Sequence, residues 1–341
     1  MKKILVIILL PIFLLFTVSM APSNTDSAYI VLEASTLRIL DGNNIDKQLL
    51  VASTGKILTA ITVIENYDLN EVITISNADE NAVGSSIYLK ENEKITRRDL
   101  LYDLMLRSAN DAASALSNNN SDEFIELMNE TAKKIGMKNS IFTNASGLDE
   151  KEYNLSTAYD MALLSAYAAK NETFKAISSS HTHTCSTDIR RYTFINKHKL
   201  VNKEDEFLWG KTGYTKKAHR ILVSNYVKDD MDIIIVTINN SDDWSFHKEA
   251  VNSLNEYEFI KIYDKGLYEI KLDKQYYLAI DSDIVIPILN EELNNTSIKF
   301  RIYKDKAILD VYINNELIYS KNVKVYDKKN INIDMLLDIY N

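Results

Sequence analysis

Ala52-Ser53-Thr54-Gly55-Lys56-Ile57-Leu58-Thr59-Ala60 sets a serine and a lysine three positions apart at the head of an apolar run. Ile61, Val63 and Ile64 continue that run, which predicts a helix reaching about Asp68. Residues i and i+3 share one helix face, so the Lys56 amine falls beside the Ser53 hydroxyl. The serine also lies at the positive end of the helix dipole, among backbone N–H groups that have no partner within the helix. Such a group is a workable nucleophile: Ser53 attacks, Lys56 takes its proton, and backbone N–H groups receive the developing oxyanion. The pattern alone is weak, because Ser245-Phe246-His247-Lys248 repeats it. A capping serine followed by a solvated lysine is its commoner meaning.

Company further along the chain raises Ser53 above that reading. Ser108-Ala109-Asn110 follows on a helical stretch, and Trp209-Gly210-Lys211-Thr212-Gly213-Tyr214-Thr215 on an expected strand. Ser-x-Asn recurs at Ser117 and Ser253 and carries little by itself, whereas Lys-Thr-Gly occurs once. The chain holds eight glycines, and Gly55, Gly210 and Gly213 all fall within these stretches. In a sequence that avoids glycine, that placement predicts close backbone approach.

The 341 residues, 46% of them hydrophobic, suffice for one large domain and a smaller one. A net charge of −9 with 26% charged residues provides no basic stripe for nucleic acid. The single cysteine, Cys185, excludes an internal disulfide framework. The five histidines show no HExxH or similar ligand spacing, so neither a metal nor any other cofactor is expected. Residues 1–21 read as a targeting segment, with Lys2 and Lys3 ahead of an apolar run from Ile4 to Ala21. Its length lies between a cleaved export signal and an uncleaved anchor in the cytoplasmic membrane. Either way the rest of the protein is expected outside that membrane.

Ala28–Glu33 and Thr36–Leu40 read as strands, with a turn at Asp41-Gly42-Asn43. Glu71–Ser76 alternates like a strand, Thr96–Ser117 reads as a helical region, and Ser121–Ile135 as a helix stopped by Gly136. Thr157-Ala158-Tyr159-Asp160 opens a helix to about Lys170. Ser178–Asp188, with His181, His183 and Cys185, reads as a mobile polar loop rather than a ligand site. Strands follow at Arg191–Asn196, Phe207–Tyr214, His219–Tyr226 and Met231–Ile238, then a helix over Trp244–Ile262. Strands at both ends with helices between predict an α+β domain. Short strands at close spacing after Tyr263 predict a small all-β domain over 263–328, followed by a short acidic tail, 329–341.

The order Ser53-x-x-Lys56, Ser108-x-Asn110, Lys211-Thr212-Gly213 resembles the set found in the serine-type D-alanyl-D-alanine carboxypeptidases. These are low-molecular-mass penicillin-binding proteins, peptidase family S11, related to the class A β-lactamases. Gly84-Ser85-Ser86-Ile87-Tyr88-Leu89, Asn110-Asp111-Ala112-Ala113, Gly147-Leu148-Asp149 and Ser156-Thr157-Ala158-Tyr159-Asp160-Met161 extend the likeness over roughly residues 28–262. The resemblance implies a β-lactamase-like catalytic domain over 26–262, an antiparallel sheet flanked by helices with a helical subdomain, ahead of the β-domain. It implies a substrate, the peptidoglycan stem peptide, and covalent inhibition by β-lactams. Ser53 would be the acylated nucleophile and Lys56 its general base, with a pKa lowered by burial and a second cation. Lys211 is the natural candidate for that cation, and with Thr212 it would hold the substrate's terminal carboxylate. Ser108 would relay a proton to the leaving amine, and Asn110 would hold the substrate's backbone amide. The N–H groups of Ser53 and Tyr214 would form the oxyanion hole, and Gly213 would let the substrate strand lie close.

Departures from the family pattern include Gly55, Ala109 and Ser146, and His198 and His219 where asparagine and glycine are expected. His219 reads as an edge-strand side chain near the site. The rivals are a β-lactamase, a D,D-endopeptidase of the same fold, and a non-catalytic wall-binding scaffold.

Overall fold

A computed structural model describes residues 25–150, 152–271, 275–303 and 306–327. The stretches expected as a targeting segment, 1–21, and a tail, 329–341, lie outside them. Strands β1 (Ala28–Glu33) and β2 (Ile39–Asn43) open the chain. The Asp41-Gly42-Asn43 stretch, expected as a turn, is part of β2 and pairs with β1. A 3₁₀ turn over Ala52–Gly55 runs straight into helix α1 (Lys56–Asn66). The helical region expected over Thr96–Ser117 is broken. It comprises α2 (Arg97–Tyr102), a π-helical turn over Asp103–Arg107, and α3 (Asn110–Leu116). Helix α4 (Asp122–Ile135) is capped by the Ser121 hydroxyl and closed by Gly136 at φ +100°. Helix α5 (Ala158–Ala168) starts where Thr157 Oγ1 accepts from the Asp160 N–H at 3.0 Å. A further helix, α6 (Glu172–Ser178), follows.

The stretch expected as a polar loop instead forms strand β3 (Thr182–Ser186), paired with β4 (Arg191–Ile195) in a hairpin. Strands β5 (Phe207–Thr215), β6 (His219–Lys228) and β7 (Met231–Ile238) complete the main sheet. Its antiparallel order is β2-β1-β7-β6-β5. Both faces of β7 are covered, which accounts for its continuous apolar run. Ile234, Val236 and Ile238 join the helical core, while Ile233 and Ile235 meet Val31, Ala250 and Leu254 on the other face.

Helix α7 (Asp243–Ser253) ends earlier than expected. Residues Tyr257–Tyr263 are strand β8, not helix, and pair with the later strand Ile284–Leu289. The remaining strands are β9 (Gly266–Lys271), β10 (Gln275–Ile280), β11 (Ile284–Leu289), β12 (Thr296–Ile302), β13 (Lys306–Ile313) and β14 (Glu316–Asp327). They enclose a second apolar cluster that includes Leu278, Ile286, Leu309 and Val323.

Candidate active site

The 3₁₀ turn is wedged between the Ser146-Gly147 segment and strand β5. It is held in an unusual backbone, with Ala52 at φ +44° just before the serine. Gly147, at φ +81°, leaves space no side chain can take: a Cβ there would stand 2.0 Å from the Ala52 carbonyl oxygen. Gly213 plays the matching part on the other side. A Cβ on it would lie 3.2 Å from Thr54 Cγ2 and 3.3 Å from Thr54 N. The close approach expected at Gly213 is therefore to the serine's own turn.

Ser53 is half-buried, and its Oγ lies 3.1 Å from Lys56 Nζ and 3.4 Å from the Ser146 carbonyl oxygen. Lys56 is fully buried. Its Nζ also donates to Asn110 Oδ1 at 2.7 Å and to the Ser146 carbonyl. Asn110 Nδ2 in turn donates to the Val83 carbonyl at 2.6 Å. Asn110 thus ties the lysine to the 83–89 loop. Asp111 pins the same loop by accepting from the N–H groups of Ile87 at 3.1 Å and Leu89 at 3.2 Å.

Ser108 follows the π-helical turn at φ +62° and accepts from Lys211 Nζ at 2.7 Å. Lys211 Nζ also donates to the Thr212 carbonyl at 2.9 Å. Among the described residues strand β5 is the edge of the main sheet, so Lys211, Thr212 and Tyr214 border a strand edge that no described strand pairs. Tyr214 is two-thirds exposed, at 66%. His219 stands at the start of β6, an interior strand, not on an edge as expected. Its φ of +61° explains why glycine suits that position. His198 is buried beneath Gly210, where a Cβ would come 2.3 Å from its Nε2. The structure thus brings Ser53, Lys56, Ser108, Asn110, Lys211, Thr212, Gly213 and Tyr214 around one turn and one strand edge.

Burial, above all, lowers the Lys56 pKa to about 7, helped by the charge of Lys197. Lys211 was the cation expected to act on Lys56. Lys197 bears on it too, and the mutual repulsion of Lys56 and Lys211 adds to burial in holding Lys211 well below the usual lysine range. Lys197 was missed in the sequence because no short pattern surrounds it. Its own pKa is lowered by burial and by Arg107, and its Nζ lies 3.4 Å from Ser85 Oγ. Asp103, in the π-helical turn, was missed as well. It is wholly buried, neither carboxyl oxygen has a hydrogen-bond partner among the described residues, and burial pushes its pKa well up.

Comparison with known proteins places this geometry. The chain is 26% identical over 309 residues to the D-alanyl-D-alanine carboxypeptidase DacF of Bacillus subtilis, covering 84% of this chain and 79% of that protein. It is 28% identical to a D-alanyl-D-alanine endopeptidase of Haemophilus influenzae, over 67% of this chain and 80% of that one. Among solved structures, the D-alanyl-D-alanine carboxypeptidase of Mycobacterium tuberculosis superposes with a TM-score of 0.60 at 27% identity, over 64% of this chain and 83% of that one. The carboxypeptidase DacD of Francisella tularensis, at 22% identity, shares the fold over 90% of this chain and 94% of its own, with a TM-score of 0.67. Residues 16–242 match the family model described as D-alanyl-D-alanine carboxypeptidase, peptidase family S11, and the chain belongs to that family.

Proposed function

We propose that the chain is a serine D-alanyl-D-alanine carboxypeptidase that trims the terminal D-alanine from peptidoglycan pentapeptide stems. The observation that carries this reading is a fully buried Lys56 with a pKa of about 7, 3.1 Å from the Ser53 hydroxyl. A lysine so placed is neutral over part of the physiological range and can accept a proton. Ser53 Oγ attacks the carbonyl carbon between the two terminal D-alanines, and its proton passes to Lys56 Nζ. The tetrahedral oxyanion is received by the N–H groups of Ser53 and Tyr214, each donor contributing roughly 3–4 kcal/mol in the transition state. Ser108 delivers a proton to the leaving nitrogen and is resupplied with the one Lys56 took from Ser53, so Lys56 is neutral again and can accept a proton from the attacking water. D-Alanine departs, and water then cleaves the ester on Ser53. Lys211 and the Thr212 hydroxyl take the substrate's carboxylate, and the open edge of β5 takes its backbone as an added strand. Asn110 holds Lys56 in place. A β-lactam would acylate the same serine.

Residues 1–21 serve in this reading as the export signal or anchor, which places the enzyme on the outer side of the cytoplasmic membrane. Among the described residues no helix is long and apolar enough to cross a membrane. The test is D-alanine release from a pentapeptide ending in D-Ala-D-Ala, with penicillin as inhibitor and Ser53→Ala as control. Release abolished by both supports the assignment. Cleavage of cross-linked dimers without release from the monomer would make the enzyme an endopeptidase.

A further inference from the structure

We propose that Asp99, His183 and Cys185 form a metal site for a borderline-soft divalent cation, zinc in the first instance. One ligand atom from each lies within 4.8 Å of the other two. His183 and Cys185 alternate with Thr184 along β3, so both side chains project from one face of the hairpin. Asp99 reaches them from the first turn of α2, 84 residues earlier in sequence. His183 Nε2 and Asp99 Oδ1 are 2.6 Å apart.

The surroundings are those of a built site. The His183 ring stacks on Tyr102 with centroids 3.6 Å apart and planes 6° from parallel, and it tilts against Phe194 on β4. Its orientation is therefore set by packing. The second oxygen of Asp99 is held by the Thr96 hydroxyl at 2.5 Å, which leaves Oδ1 aimed at the histidine. Cys185 is 8% exposed, and Asp99, Asp103 and Glu93 all bear on it.

Thiolate, imidazole and carboxylate together are a donor set for zinc, with a fourth position left for water. Ligands at 2.0–2.3 Å from a tetrahedral ion stand roughly 3–4 Å apart. An ion would need the histidine–aspartate contact of 2.6 Å to open and the thiol to draw in, both within side-chain reach of a cluster spanning no more than 4.8 Å. The consequence for the fold is mechanical. Strand β4 runs directly into Asn196 and Lys197, and the Lys197 N–H donates to the Leu106 carbonyl at 3.0 Å. Helix α2 runs through the π-helical turn to Ser108. A bound ion would clamp together the two segments that carry Lys197 and Ser108.

The test strips the purified full chain with a chelator and titrates it with Co²⁺ and Zn²⁺. We expect one equivalent of Co²⁺ with a thiolate-to-cobalt charge-transfer band, and no such band in Cys185→Ser. Zinc affinity, measured by competition with a chromophoric chelator, should fall about 100-fold or more in Cys185→Ser and His183→Ala, beyond what loss of an outer-shell partner costs. His181→Ala, which removes an exposed neighbouring histidine, should bind as wild type. No stoichiometric uptake by the wild-type chain, uptake without the charge-transfer band, or unchanged affinity in Cys185→Ser would overturn the site. None of these readouts depends on the peptidase reaction.

Discussion

As the proposed base, Lys56 can act only in its neutral form, and the pH at which it becomes neutral is set by what surrounds it. Burial dominates, Lys197 adds to it, and Asp103 and Asp111 oppose it. The rate of Ser53 acylation by a chromogenic β-lactam should therefore climb with pH through about 7 and level off above it. Replacing Lys197 with alanine removes a positive neighbour, so the Lys56 pKa rises and the climb moves to higher pH. A profile unchanged in Lys197→Ala would show that Lys197 does not tune the base. Asp103 supplies a second pH effect, on stability. Its folded-state pKa is raised, so the folded protein keeps a proton that the unfolded chain has released. Stability from this group is present near the unfolded carboxylate pKa and declines as pH rises towards the folded value. Asp103→Asn has no proton to lose, so its stability relative to wild type should improve between about pH 5 and pH 8 in urea titrations. An Asp103→Asn difference that stays flat with pH would mean the buried carboxyl titrates normally.

At the scale of elements, the sequence was most legible where one pattern ran unopposed. Met231–Ile238 reads as a central strand because both of its faces are buried, and α4 is bounded by Ser121 and Gly136 as its caps predict. It was least legible where tertiary packing imposes a backbone that pattern does not encode. Leu100, Leu101, Leu104 and Leu106 keep helical spacing, yet the chain passes through a π-helical turn and a left-handed Ser108 to aim that hydroxyl at Lys211. Leu254, Tyr257 and Ile260 fit a helix period, but the partner strand β11, supplied from later in the chain, draws Tyr257–Tyr263 into a sheet. The Ser53, Lys56 and Lys211 positions were readable from short motifs, whereas Lys197 and the Asp99–His183–Cys185 group are joined only by the fold. Gly147 shows how strictly these backbones are set. Gly147→Ala meets both a positive φ, which costs of order 1–3 kcal/mol for a non-glycine residue, and a Cβ 2.0 Å from the Ala52 carbonyl oxygen. It should lose more stability in urea than the φ strain alone, and acylation should slow because the serine turn must move. A Gly147→Ala protein with wild-type stability and acylation would mean that the turn yields easily.

Across the whole molecule, the groups gathered at Ser53 all come from residues before Asn255, while the second apolar core draws on Leu278 to Val325. Strand β8 lies between them. Phe259 packs toward the main-sheet side, whereas Ile260, Ile262 and Tyr263 pack onto the second core. Contacts also cross at Arg38, which donates to the Pro287 carbonyl, pairs with Glu292 at 2.8 Å and lies over the Tyr257 ring. We propose that the catalytic unit ends near Glu256, because a chain cut after Tyr263 retains β8 without its β11 partner. That leaves an open strand edge and exposed apolar side chains, a combination that favours aggregation. A chain ending at Glu256 should therefore be the more soluble of the two and should still be acylated by penicillin at Ser53. Its melting temperature should fall, since Arg38 loses its carboxylate and carbonyl partners. Soluble yield and intact mass after penicillin treatment, compared for the full chain and both truncations, check this directly. If the Glu256 truncation folds but is not acylated while the full chain is, the β-domain supports the active site itself, and the Arg38–Glu292 contact is the first place to look for how.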